Sequence, residues 1–117
     1  MKTYELFTGD ELRIAEKILQ RRYQLLVHSC IYYHLDQNVV SDTTWNKWSN
    51  ELVQLQKLYP KIAEQVSLHE YFSDWDGSTG AFLPITQPWV IKIAYQLLDI
   101  KNEKPEQEIG KKKKRLF

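Results

Sequence analysis

Residues 41–60, SDTTWNKWSNELVQLQKLYP, decide the fold. Trp45, Trp48, Leu52, Leu55 and Tyr59 recur at alternating intervals of three and four, which places them on one face of an α-helix. Ser41 suits the N-cap, where its hydroxyl can accept from a free backbone amide. Asp42 follows in the first turn, where a negative charge suits the helix dipole. Pro60 disfavours a helical residue before it and marks the end.

Upstream, Thr8-Gly9-Asp10-Glu11 reads as a capping box, so a long helix is predicted from about Gly9 to about His34. Leu12, Ala15, Leu19, Leu26 and Tyr33 form one apolar row, and Ile18, Leu25 and Tyr32 form the next. Asp36-Gln37-Asn38 breaks the pattern with turn-forming residues. Two helices joined by so short a loop should lie antiparallel as a hairpin.

Downstream, a short helix is predicted over Lys61–Val66. Residues 67–86 hold three of the four glycines and no sustained period, which reads as an ordered loop with a possible short strand pair. Pro88 suits the first turn of a third long helix, with Val90, Ile93, Ala94, Leu97 and Ile100 as its apolar face. The expected architecture is mainly α: a long helical hairpin, a loop and a third long helix, in one domain over 1–101. From Asn102 the chain turns polar, and 102–117 is expected to be a flexible basic tail.

The 117 residues fit a single domain, and 43% hydrophobic with 26% charged residues is an ordinary globular balance. The single cysteine, Cys30, sits in an apolar stretch and reads as a reduced core residue. No apolar run is long enough for a membrane span, so a cytoplasmic location is the default expectation. All 15 acidic residues precede Lys111, Lys112, Lys113, Lys114 and Arg115, which supply five of the 16 basic ones. An acidic body with a basic end argues against nucleic-acid binding except through that end.

Within this framework Tyr32-Tyr33-His34-Leu35-Asp36, Val40-Ser41-Asp42, Trp45-Asn46, Glu51-Leu52 and Pro60 together resemble the N-terminal Ia domain of NAD-dependent DNA ligases. The spacing matches without a gap over residues 32–60. In that family the domain grips the nicotinamide mononucleotide half of NAD. Two tyrosines sandwich the nicotinamide ring, while acidic side chains and a histidine hold the amide, ribose and phosphate. The resemblance implies Tyr32 and Trp45 as the two aromatic walls, with Trp45 standing where the family has tyrosine. It implies Asp42 as the retained acid and Asp36 as a further site residue. Asn46 replaces the second acid and Tyr33 replaces the histidine. Stacked aromatic faces suit a flat, electron-poor ring, and a positive nicotinamide adds cation–π attraction. Helical periodicity alone assigns both Tyr32 and Trp45 to the core instead. The ligase's Lys-x-Asp-Gly nucleophile motif is absent from these residues, so no catalysis of its own is expected.

Other constellations are weaker. His28, Cys30 and His34 share a helix but offer no fourth ligand nearby. Asp74-x-Asp76-Gly77 starts like a calcium loop and lacks its later ligands, which makes a tight turn the better reading. Glu70, Tyr71, Phe72, Asp74, Trp75 and Asp76 interleave rings with carboxylates, as protein-binding surfaces do, although such rings also cap helix ends.

Two functions therefore stand at this point. One is protein binding by a reused scaffold, a small phage or mobile-element accessory that modulates a host protein, such as an anti-CRISPR inhibitor of a nuclease. The other is binding of nicotinamide mononucleotide or NAD. The loss of the family's histidine at Tyr33 and of its second acid at Asn46 inclines the sequence reading toward protein binding.

Overall fold

In the computed structural model, which describes residues 7–106, the Glu11 carboxylate accepts from both the backbone N–H and the hydroxyl of Thr8, at 3.1 and 3.2 Å. This capping box opens α1 (Gly9–Ser29), which continues directly into a π-helical turn, Cys30–His34. Ser41 Oγ accepts from Thr44 N at 3.1 Å and opens α2 (Asp42–Leu58). Then come α3 (Pro60–Gln65), α4 (His69–Phe72) and α5 (Pro88–Glu106). Helix α1 packs against α2, α3 and α5. Ala15, Ile18, Leu25 and Leu26 meet Leu52, Ala63, Phe72, Val90 and Ala94 in one core.

Three expectations are corrected. Residues 67–86 hold no strand among the described residues, because their backbone bonds are successive local turns: Tyr71 N to Leu68 O, Trp75 N to Phe72 O and Leu83 N to Gly80 O. Phe72 and Leu83 each anchor the segment in the core, which leaves no extended pair to form a ladder. Helix α5 runs to Glu106, past the boundary expected at residue 101. Lysine and glutamate favour helix, and loss of apolar period reports loss of a buried face, not the end of a helix. The third correction concerns Tyr32 and Tyr33, which the apolar rows assign to the core and which are 52% and 46% exposed. The Leu35 N to Cys30 O bond spans five residues, so the turn is wider than an α-turn and positions after Cys30 leave the rows set by α1. The Ile100 side chain and Lys111–Arg115 lie outside the described residues.

A fully buried charge organises the interior. Arg22 has no exposed surface. Its Nε and Nη2 donate to Gln56 Oε1 at 3.0 and 2.8 Å. Nη1 donates to the carbonyls of Val66 and Ser67, and Nη2 to that of Ala63, at 2.9–3.1 Å. These carbonyls lie at and beyond the C-terminal end of α3, where unsatisfied oxygens and the helix dipole both favour a cation. The guanidinium also sits 5.9 Å from the Phe72 ring centre. Gln56 Nε2 passes the link onward to Phe72 O at 3.1 Å. Replacing Arg22 by methionine leaves these acceptors buried without the donor they now share, so urea unfolding should show a loss of about 3 kcal/mol or more. A loss below about 1 kcal/mol would mean that the network contributes little.

Candidate functional site

The hairpin junction forms a cleft of about 260 Å3. The π-turn contributes Tyr32 and Tyr33, and the first turn of α2 contributes Asp42, Trp45 and Asn46. Five of the six residues marked by the ligase resemblance therefore share one cavity. The sixth, Asp36, does not line it. Asp36 takes a left-handed backbone, φ 56°, as the chain leaves the π-turn, and borders a second, more open hollow that shares Tyr32, Tyr33 and Asn38 with the cleft. Its short polar side chain tolerates that conformation, so Asp36 is a turn residue here. Tyr32 and Tyr33 meet edge to face at 4.8 Å. Trp45 is half-buried and serves two surfaces, lining the cleft while packing on the core and meeting Trp75 edge to face at 6.1 Å.

Further residues of the cleft were missed in the sequence. His28 and Ser29 lie one helical turn before Tyr32, a neighbourhood that spacing could have revealed. Asn38, Val39 and Val40 come from the connecting loop. Ser78 arrives from the loop before α5, and no local signal announces it.

That loop is held tightly. Ser49 Oγ donates to Gly77 O at 2.7 Å, and Trp75 Nε1 donates to Thr79 O at 2.7 Å. The hydroxyls of Tyr33 and Thr79 are hydrogen-bonded at 2.8 Å. Gly77 has φ +86°, and a Cβ there would come within 2.8 Å of Ser49 Oγ and Val53 Cγ2. A Cβ on Gly80 would come within 2.6 Å of Ser29 Cβ. Glycine at both places lets the loop backbone lie directly on α1 and α2.

The acidic–aromatic segment divides differently from its sequence pattern. Phe72 is fully buried beneath the Arg22 guanidinium, so it is a core residue and not a surface anchor. Trp75 is half-buried with its edge against Phe72 at 5.2 Å. Glu70, Asp74 and Asp76 are exposed, and Tyr71 is half-buried. Asp76 accepts from the backbone and hydroxyl of Ser78, at 2.9 and 2.7 Å, which fixes the turn and holds its carboxyl below the usual carboxylate range. Phe82, a loop ring that its sequence context suggests should pack, is instead 90% exposed beside this face.

Chemically, the cleft combines ring faces, hydroxyls, the Asn38 and Asn46 amides and one carboxylate, Asp42, at its rim. Among the described residues no lysine or arginine lines it. Burial pushes the Cys30 thiol up, which makes it a poor nucleophile. Among the described residues no group of three His, Cys, Asp or Glu side chains is placed to hold a metal ion, and no helix is long and apolar enough to cross a membrane. No protein-family model, curated protein or solved structure matches the chain.

His28 stands against Trp48, ring centres 5.3 Å apart, and burial lowers its pKa from 6.5 to about 4. A folded-state value below the unfolded one means that the unfolded chain takes up the proton first. The His28 contribution is therefore complete above pH 6.5 and is lost as pH falls toward about 4. The melting temperature should drop across that window, and less steeply in a His28→Gln variant. Parallel profiles for the two proteins would rule out a neutral, buried His28.

Proposed function

We propose that the chain is a non-catalytic binding module that takes a nicotinamide nucleotide into the hairpin cleft. The observation that carries this reading is the convergence of Tyr32, Tyr33, Asp42, Trp45 and Asn46 on one cavity. A planar cationic ring finds aromatic walls there and a carboxylate close by. The cleft, at about 260 Å3, is a little below the range of about 300–1,000 Å3 usual for ligand pockets and adjoins the more open hollow that shares Tyr32, Tyr33 and Asn38.

Titration calorimetry with nicotinamide mononucleotide and NAD tests the reading. The mononucleotide should release or absorb heat with saturable binding. Tyr32→Ala should weaken it by the about 1–3 kcal/mol that a stacking platform contributes, with an unchanged melting temperature because Tyr32 is exposed. Trp45→Ala should weaken it too, its fold checked by circular dichroism because Trp45 also touches the core. No heat at millimolar ligand would end this reading.

A second reading, protein binding by a phage-type accessory or inhibitor, is favoured by one observation. Phe82 stands exposed beside Tyr71, Asp74 and Asp76, an apolar ring among carboxylates suited to a basic partner. Phe82→Ala should leave stability unchanged while reducing capture of a partner from bacterial lysate. Phe72→Ala should instead cost about 3–5 kcal/mol in urea unfolding. Equal capture by wild type and Phe82→Ala would remove this surface from consideration.

A further inference from the structure

A second hollow of about 590 Å3, lined by Tyr32, Tyr33, Asp36, Gln37 and Asn38, adjoins the cleft, and three of those five residues line both. All five are exposed. The tyrosine pair is set before any ligand arrives. The Tyr33 hydroxyl is hydrogen-bonded to that of Thr79 at 2.8 Å, and the two ring planes stand at 90° with centres 4.8 Å apart. Perpendicular rings present faces in more than one direction, so a base stacked on one face in the cleft leaves another for a second base. The backbone N–H of Gln37 donates to Ile31 O at 3.0 Å, which ties this wall to the same π-turn that aims the tyrosines. The hollow beside Phe82, by contrast, shares Ser78 alone with the cleft among the described residues, and the Ser78 hydroxyl already donates to Asp76 at 2.7 Å.

We propose that the second hollow is a nucleoside subsite, so that the ligand is the whole dinucleotide, NAD, with its nicotinamide half in the cleft and its adenosine half over Asp36 and Gln37. This rests on the nucleotide reading above. Every base has a π-face that a tyrosine ring can carry. A side-chain amide offers a donor and an acceptor side by side, the pattern that meets the amino group and ring nitrogen of adenine, and Gln37 supplies one. A carboxylate accepts from a ribose hydroxyl and repels a phosphate in its place, and Asp36 supplies that group. Its left-handed backbone, φ 56°, is one that aspartate and asparagine adopt more readily than other residues with a side chain, so the turn admits a carboxylate there at little strain. Among the described residues neither hollow is lined by a lysine or arginine. The pyrophosphate therefore crosses between them in solvent, and affinity comes from the two rings.

Titration calorimetry of the whole chain with NAD, nicotinamide mononucleotide and NADP tests this. NAD should bind at least about tenfold tighter than the mononucleotide, a difference of about 1.4 kcal/mol. NADP, with a phosphate on its adenosine ribose, should fall back to about the affinity of the mononucleotide. Asp36→Asn keeps a residue that tolerates the left-handed backbone, and Gln37→Ala trims an exposed side chain, so both variants should melt like wild type. Each should lower NAD affinity about fivefold or more and leave the mononucleotide within about twofold. Asp36→Asn should also narrow the gap between NAD and NADP. Phe82→Ala should bind all three ligands as wild type does. Equal affinity of wild type for NAD and the mononucleotide would overturn the subsite and leave the cleft reading standing. So would equal losses of both ligands in the Asp36 and Gln37 variants, or a selective loss of NAD in Phe82→Ala, which would put the second base in the other hollow. No binding of any of the three by wild type would overturn the nucleotide reading and the subsite with it.

Discussion

The Arg22 guanidinium is the constraint on which the remaining geometry depends. A cation with no exposed surface survives only where its donors are met, and Arg22 meets them with oxygens from three places: the α2 side chain of Gln56, the end of α3, and the chain just beyond it. Those contacts fix where the chain emerges from α3. Gln56 then holds the Phe72 carbonyl, and Phe72 holds the edge of Trp75. Trp75 in turn bonds Thr79, beside the glycine that lies on Ser29. Through these links, one buried charge on α1 positions the loop that brings Ser78 to the cleft. None of the links is strong alone, since each net hydrogen bond contributes only about 0.5–1.5 kcal/mol. Their value lies in leaving the loop few alternative seats.

Helices with an amphipathic face were legible in the sequence because burial of one face imposes its period. The stripe from Trp45 to Leu55, the capping box at Thr8 and the N-cap at Ser41 are local and physical, and each stands where its chemistry requires. Arg22 was not legible. In the sequence it is one arginine of an adjacent pair, and only the fold separates it from Arg21, which reaches Glu51 at 2.8 Å on a partly exposed face. The stretch over 67–86 failed for a related reason. Its apolar residues are buried singly by turns, and singly buried residues generate no period.

The cleft was half legible, and the division is instructive. Residues 32–46 follow one another in sequence, so a pattern can hold them together and a resemblance can name them. Yet periodicity argued the other way for Tyr32, because it assumes that an α-helix continues. The π-turn breaks that assumption, and its effect is to release two tyrosines from the core side of α1 into the cavity. Such turns often occur at functional sites because they re-aim side chains without ending a helix. Ser78 and Gly80 lay beyond reach of sequence reasoning, since their proximity to α1 depends on the whole chain of contacts from Arg22.

Arg22 and Ser29 lie two helical turns apart, seven residues along one face of α1, and both are wholly buried. They stand at opposite extremes of compensation. The arginine, far costlier to bury, has its donors matched by the fold. The serine, which could have been matched by an ordinary bond to its own helix, has no bond at all. A fold able to satisfy a guanidinium is not short of means to satisfy a hydroxyl. The contrast separates a polar group that the structure uses for itself from one that it encloses as the cost of close approach, the Ser29 hydroxyl shut beneath the Gly80 backbone so that the loop can lie directly on α1.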